Sequence, residues 1–220
     1  MITIRLLNEK EIQQLEKRWG LGVRKALEKA LRSESFRLKR ELSSYMRRSP
    51  DWPALHPFSR AVRKYKRGGP GAWFARFTRY AVGWTRGGLK AEIGVLNPSA
   101  SMRGRGGRPL SRMILAAASR FAGGHQETLS LKGQRAMVGR FLAAKRRRWS
   151  EMSPRQKRLW RRKLAKEGAL FRVGTVLRTP ARDLHDFAER EKPHIIRNVA
   201  WLFARAIKGE RYSKTWWEEV

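Results

Sequence analysis

Cysteine is absent from the 220 residues. That excludes a disulfide framework, a thiol nucleophile and any Cys-ligated metal. Acids are scarce: eighteen Asp and Glu stand against fifty-one Lys and Arg, a formal net charge of +33. Long apolar runs are missing too. The longest candidate, residues 113–118, stops at Ser119 and Arg120, far short of the ~18 apolar residues of a membrane span. The opening residues turn charged at Glu9 and Lys10, so no secretory leader is expected. The four histidines, His56, His125, His185 and His194, are scattered without metal-ligand spacing. No P-loop or dinucleotide fingerprint is present, and neither an enzyme, a metal nor a cofactor is expected.

What is there is a basic chain with enough apolar residues to fold. Hydrophobic residues make up 41%, and nine are Trp, too many for a disordered basic tail. A compact domain does not need an excess of +33, because self-repulsion costs stability. The partners that offset such charge are polyanions: DNA, RNA, an anionic membrane or acidic protein.

The pattern predicts one α+β domain over residues 1–220, with irregular loops near 49–72 and 97–109 and a short tail at 209–220. Residues 2–6 alternate as a strand does. Asn8 precedes a helix carrying Ile12, Leu15 and Trp19 on its apolar face. From Val23, Leu27, Leu31, Leu38, Leu42 and Tyr45 recur at helical spacing up to Ser49-Pro50, which predicts a long amphipathic helix. Residues 73–84 and 89–96 read as two strands around the Arg86-Gly87-Gly88 turn, the seed of a small, mostly antiparallel sheet. Several helices follow: 110–121, stopped by Gly123-Gly124; 134–149; one opened by Ser153-Pro154; and 183–208, where Leu184, Ala188, Ile195, Val199, Leu202 and Ala206 share a face and Pro193 either kinks the helix or starts another. Short strands are expected at 127–131 and 171–177.

Candidate contacts to DNA or to an acidic partner fall in three stretches. Arg60, Arg63, Lys64, Lys66 and Arg67 form the first. Arg103, Arg105 and Arg108 lie in an RGG-type loop, which either binds a phosphate backbone or is simply mobile. The densest stretch, residues 145–166, holds Lys145, Arg146, Arg147, Arg148, Arg155, Lys157, Arg158, Arg161, Arg162 and Lys163, with Lys166, against the single acid Glu151. It reads equally as a helix pair laid on phosphates or as solvated faces meeting an acidic neighbour. Gln156 is its one short polar residue suited to reading base edges, so sequence-specific readout is not expected. The aromatics of residues 73–84 read better as core than as a base-stacking platform. Trp216 and Trp217, near the end of the chain, either fold back or dock into a neighbouring subunit as an interface anchor.

Three segments carry a family resemblance: His125-Gln126 after Gly123-Gly124, then residues 129–135 leading into a helix, then Pro180-Ala181-Arg182 before the last helix. This order resembles the tail-completion, or virion-morphogenesis, proteins of tailed bacteriophages, over residues 20–208. Asp183-Leu184 after Arg182 departs from the family pattern, and residues 145–168 are longer and more basic than its members suggest. The resemblance implies a structural virion protein: a neck, tail-completion or tail-terminator-like subunit. Its implied place is the head-proximal end of the tail, with assembly in the host cytoplasm. It implies a homo-oligomeric ring, expected as a hexamer, touching the head connector or stopper and the tail tube, around a channel crossed by double-stranded DNA and away from membranes.

Magnitudes limit how much charge faces that DNA. A ring about 40 Å tall encloses roughly 25 phosphates of duplex, whereas six copies at +33 each carry +198. Much of the charge must therefore meet acidic neighbours or solvent. The rival reading is a sequence-independent DNA- or RNA-binding protein, which shares the charge and needs no ring.

Overall fold

The computed structural model describes residues 2–5, 9–20, 22–48, 52, 71–85, 88–97, 109–144, 152–166, 174, 176–182, 184–213 and 215–218. The fold is α+β. The chain gathers into two compact units. The first comprises Met1–Arg48, Gly71–Ala118 and Asp183–Val220; the second comprises Ser49–Pro70 and Ser119–Arg182.

The first unit is built around one helix. Strand β1 (Ile2–Arg5) and helix α1 (Glu9–Trp19) lead to helix α2 (Val23–Arg48). Gly20 ends α1 with φ 85°, a left-handed conformation that glycine adopts without a Cβ penalty. Its N–H reaches back to the Glu16 carbonyl at 2.8 Å. Helix α1 buries Ile12, but Trp19, expected on the same face, is exposed.

A three-stranded antiparallel sheet packs on one side of α2, in the order β1, β3 (Gly88–Gly94), β2 (Arg79–Thr85). The N-terminal strand closes onto the hairpin with Ile2 opposite Ile93, and Tyr80 faces Ile93 from the other side. Leu89, Ala91 and Ile93 are buried, as their alternation predicts. The first part of the expected strand 73–84 is not strand. Phe74–Phe77 form a 3-10 helix, and the Ala75 carbonyl accepts the Ser43 hydroxyl of α2 at 3.1 Å. Phe74 and Tyr80 are buried, which places them in the core as expected, while Trp73 stays exposed.

Helix α6 (His185–Ile207) packs on α2 as well, and Pro193 lies inside it without starting a second helix. Its buried face differs from the expected one. Val199 and Leu202 are buried, but the others are Phe187, Glu191 and Asn198. The apolar ladder of α2, Leu27, Leu31, Leu38 and Leu42, is buried throughout. Each fully buried Leu contributes roughly 1.5–3 kcal/mol. Helix α2 thus lies between sheet and helix, which is why charged residues fall inside it.

Those charges form a network. Arg37 donates from Nη2 to Glu34 at 2.6 Å, and from Nη1 and Nη2 to Glu191 at 3.0 Å. Asn198 donates to Glu34 at 3.3 Å. Burial pushes the Glu34 carboxyl above its ordinary range, and hydrogen bonding and charge from Arg37 offset this only in part. Burial pulls the Arg37 guanidinium down, but Glu34 and Glu191 outweigh it and hold Arg37 above its usual value.

The C-terminal tail folds back on this unit. Trp216, 2% exposed, stacks on Trp201 at 5.8 Å between ring centroids. Trp217 meets Trp216 edge-on and lies under the Arg40 guanidinium at 5.1 Å.

Candidate polyanion-binding site

The second unit is the more densely basic of the two. It holds twenty-three Lys and Arg against four Asp and Glu over 86 residues, net +19; the first holds twenty-eight against fourteen over 134, net +14. Among the described residues of the first unit, seven of its fourteen acids sit in internal pairs with Lys or Arg, such as Glu16 with Arg24 at 2.8 Å and Glu210 with Arg205 at 2.7 Å. The second has almost no acids to spend.

Its frame is a two-stranded antiparallel sheet of β4 (His125–Thr128) and β5 (Val176–Thr179). Helix α3 (Arg112–Gly123), in which the division between the units falls, ends just before β4, and Gly124 has φ 74°. Gln126 pairs with Arg178 in the sheet, and His125 with Thr179. The two segments around His125-Gln126 and Pro180-Ala181-Arg182, which carry the resemblance, are therefore neighbours. Arg182 is buried in a structural position: its N–H bonds the Ala122 carbonyl at 3.1 Å and its guanidinium lies over the Phe121 ring at 5.1 Å. Burial lowers its pKa. Strand β4 begins at His125, two residues before the expected start; β5 takes in Val176 and Leu177 of the expected strand at 171–177 and runs on to Thr179, while residues 171–173 and 175 lie outside the described residues.

Helix α4 (Leu131–Ala144) starts earlier than the expected Gln134. Ser130 sets the start: its Oγ accepts the Gly133 N–H at 3.1 Å and its carbonyl accepts the Gln134 N–H at 2.8 Å. Lys132, Arg135 and Arg140 are exposed on it, and the helix contains no acid. Sequence reasoning missed these three cations because each stands alone. The signal was the absence of any Asp or Glu between them.

Helix α5 (Pro154–Lys166) opens on the Ser153-Pro154 pair, as expected. The cap is reciprocal: Ser153 Oγ accepts the Gln156 N–H at 3.3 Å, and Gln156 Oε1 accepts the Ser153 N–H at 2.9 Å. The Gln156 oxygen is thus occupied. A bidentate contact to adenine needs both its oxygen and its nitrogen, so the cap and base readout compete for the same group. Arg155, Arg158, Arg161 and Arg162 are exposed, while Lys157 and Trp160 are half-buried. Lys163 lies on this helix with its side chain outside the described residues. Arg60, Arg63, Lys64, Lys66, Arg67, Arg103, Arg105, Arg108, Lys145, Arg146, Arg147 and Arg148 lie outside them altogether.

Chemically, α4 and α5 carry guanidinium and ammonium groups on segments that contain no carboxylate of their own. Such a surface binds phosphate or carboxylate oxygens through charge-assisted hydrogen bonds. Among the described residues, no group of three or more His, Asp or Glu is placed to hold a metal, and no helix is long and apolar enough to cross a membrane. No protein-family model, no curated protein and no solved structure matches the chain.

Proposed function

We propose that the protein is a structural component of a tailed-phage virion: a neck or tail-completion ring subunit that joins the tail to the head connector around the DNA channel. The observation that carries this reading is the higher charge density of the second unit, net +19 over 86 residues against +14 over 134 in the first, with helices α4 and α5 holding no acid. A unit so charged is complemented from outside, and a subunit seated between acidic neighbours and DNA has that complement on both sides. The short motifs at His125-Gln126 and Pro180-Ala181-Arg182 add to it, since His125 pairs in one small sheet with Thr179, the residue just before Pro180. Copies joined head to tail close a ring, taken here as a hexamer, in which the first unit supplies the packed body and the second the charged surface. The role is geometric and calls for no cofactor.

A second reading, sequence-independent binding of DNA or RNA by the single chain, is favoured by the occupied Gln156 oxygen, which leaves α5 with cations alone. Assembly separates the two. The purified protein, stripped of nucleic acid, is mixed with connector-bearing heads and with tails. Rings at the junction, and joining lost on neutralising Arg155, Arg158 and Arg162, support the neck reading. Joining without the protein, or tight salt-sensitive coating of DNA by monomers that never assemble, supports the other.

A further inference from the structure

Helix α5 has a feature that phosphate binding alone does not require. Leu159 is 60% exposed, and it stands among arginines. Arg155 is four residues before it, Arg158 one before and Arg162 three after. At 100° per residue these four side chains share an arc of about 100° on one side of the helix. Lys157 and Trp160, both less exposed, point away from that arc. The surface is therefore mixed: one large aliphatic group flanked by three guanidinium groups.

Helix α5 has no carboxylate of its own, and the whole sequence holds eighteen acids against fifty-one Lys and Arg. Among the described residues, seven carboxylates already sit in ion pairs with Lys or Arg within the chain. A second copy brings another +33 and the same shortage. A different, acidic molecule complements this face better than a second copy does. A duplex backbone offers phosphates and sugars but no apolar socket, so it would leave Leu159 in water or cover it poorly. An amphipathic acidic helix offers both parts: an apolar stripe for Leu159 and flanking carboxylates for Arg155, Arg158 and Arg162.

The geometry points to an acidic, amphipathic protein helix as the partner of α5, with Leu159 as the apolar anchor. This rests on the reading above that the second unit meets polyanions, and it names which kind meets this helix. Other basic stretches are then left to approach DNA.

The test uses the full-length protein and three probes at matched ionic strength: a synthetic helical peptide with Leu on one face and Glu on the other, polyglutamate, and duplex DNA. Leu159→Ser should weaken peptide binding about tenfold and leave polyglutamate and DNA unchanged. Leu159→Met, which keeps the apolar anchor, should bind the peptide as the parent does. Replacing Arg155, Arg158 and Arg162 together by Gln should weaken all three probes. If Leu159→Ser binds the peptide like the parent, or weakens all three probes equally, the partner assignment is wrong while the polyanion reading stands. If the triple Gln variant binds every probe like the parent, the polyanion reading of α5 fails beneath it. Circular dichroism of each variant confirms that the helices are intact.

Discussion

Arg37 of α2 and Glu191 of α6, 154 positions apart in the chain, meet through two hydrogen bonds of 3.0 Å in a buried interface. The same guanidinium holds Glu34 from its other edge. One cation thus separates two buried carboxylates and fixes how the two longest helices of the first unit register on each other. Replacing Arg37 by Met should cost about 3–5 kcal/mol, because two buried charges lose their partner at once. Urea unfolding of R37M measures this. A loss no larger than that of an exposed pair would show that the carboxylates find water or are protonated at little cost.

Glu34 gives the interface a pH dependence whose sign is fixed. Burial raises its carboxyl above 4.5 in the folded chain, against the opposing influence of Arg37, with Glu191 adding to the rise. The folded state then holds that proton more tightly than the unfolded state does. The stability it contributes is full below the ordinary carboxylate range and is lost as pH rises through the folded value. Glu34→Gln removes this dependence. The stability of the parent relative to E34Q should fall as pH rises above 4.5, read from urea midpoints at each pH. A rise there would mean that the Arg37 pairing, not burial, governs Glu34.

The tail makes a third case. Trp216 is buried against Trp201, so Trp216→Ala should destabilise the isolated chain by about 3–5 kcal/mol. Tryptophan fluorescence during denaturation follows it. An anchor that works only in an assembly would behave oppositely, leaving the isolated chain as stable as the parent and weakening association.

Much of the fold was legible from spacing. The limits of α2 follow from its Leu ladder and the Ser49-Pro50 stop, and the start of α5 follows from Ser153-Pro154. The hairpin strand β3 follows from alternation. What was not legible has physical causes. Glu34 and Arg37 stand three apart and read as a surface pair; only the burial of α2 on both sides turns them inward. Phe187, Glu191 and Asn198 share the inner face of α6, but a scan for apolar periodicity passes over two of them. The Phe74–Phe77 turn looks like strand because its aromatics favour strands. For the candidate site, the basic run on α5 stood out at once. Its exposed Leu159 did not, since exposure is a property of the folded chain, and the acid-free α4 was passed over because its three cations stand apart in the sequence.

The reciprocal cap of α5 predicts a local effect. Ser153→Ala should loosen the first turn of the helix and cost about 1 kcal/mol. Amide exchange should rise at the first residues of α5 and stay unchanged in α2. Uniform loss of protection across both helices would mean that the cap supports more than its own turn.

The most direct measurement is the mass and shape of the purified, nucleic-acid-free protein, by light scattering and negative-stain microscopy at low and high salt, alone and with tails or connectors added. The neck reading predicts closed rings, or a monomer that forms rings only when tails or connectors are present. A monomer that assembles under none of these conditions, yet coats DNA with a steep salt dependence, would contradict it.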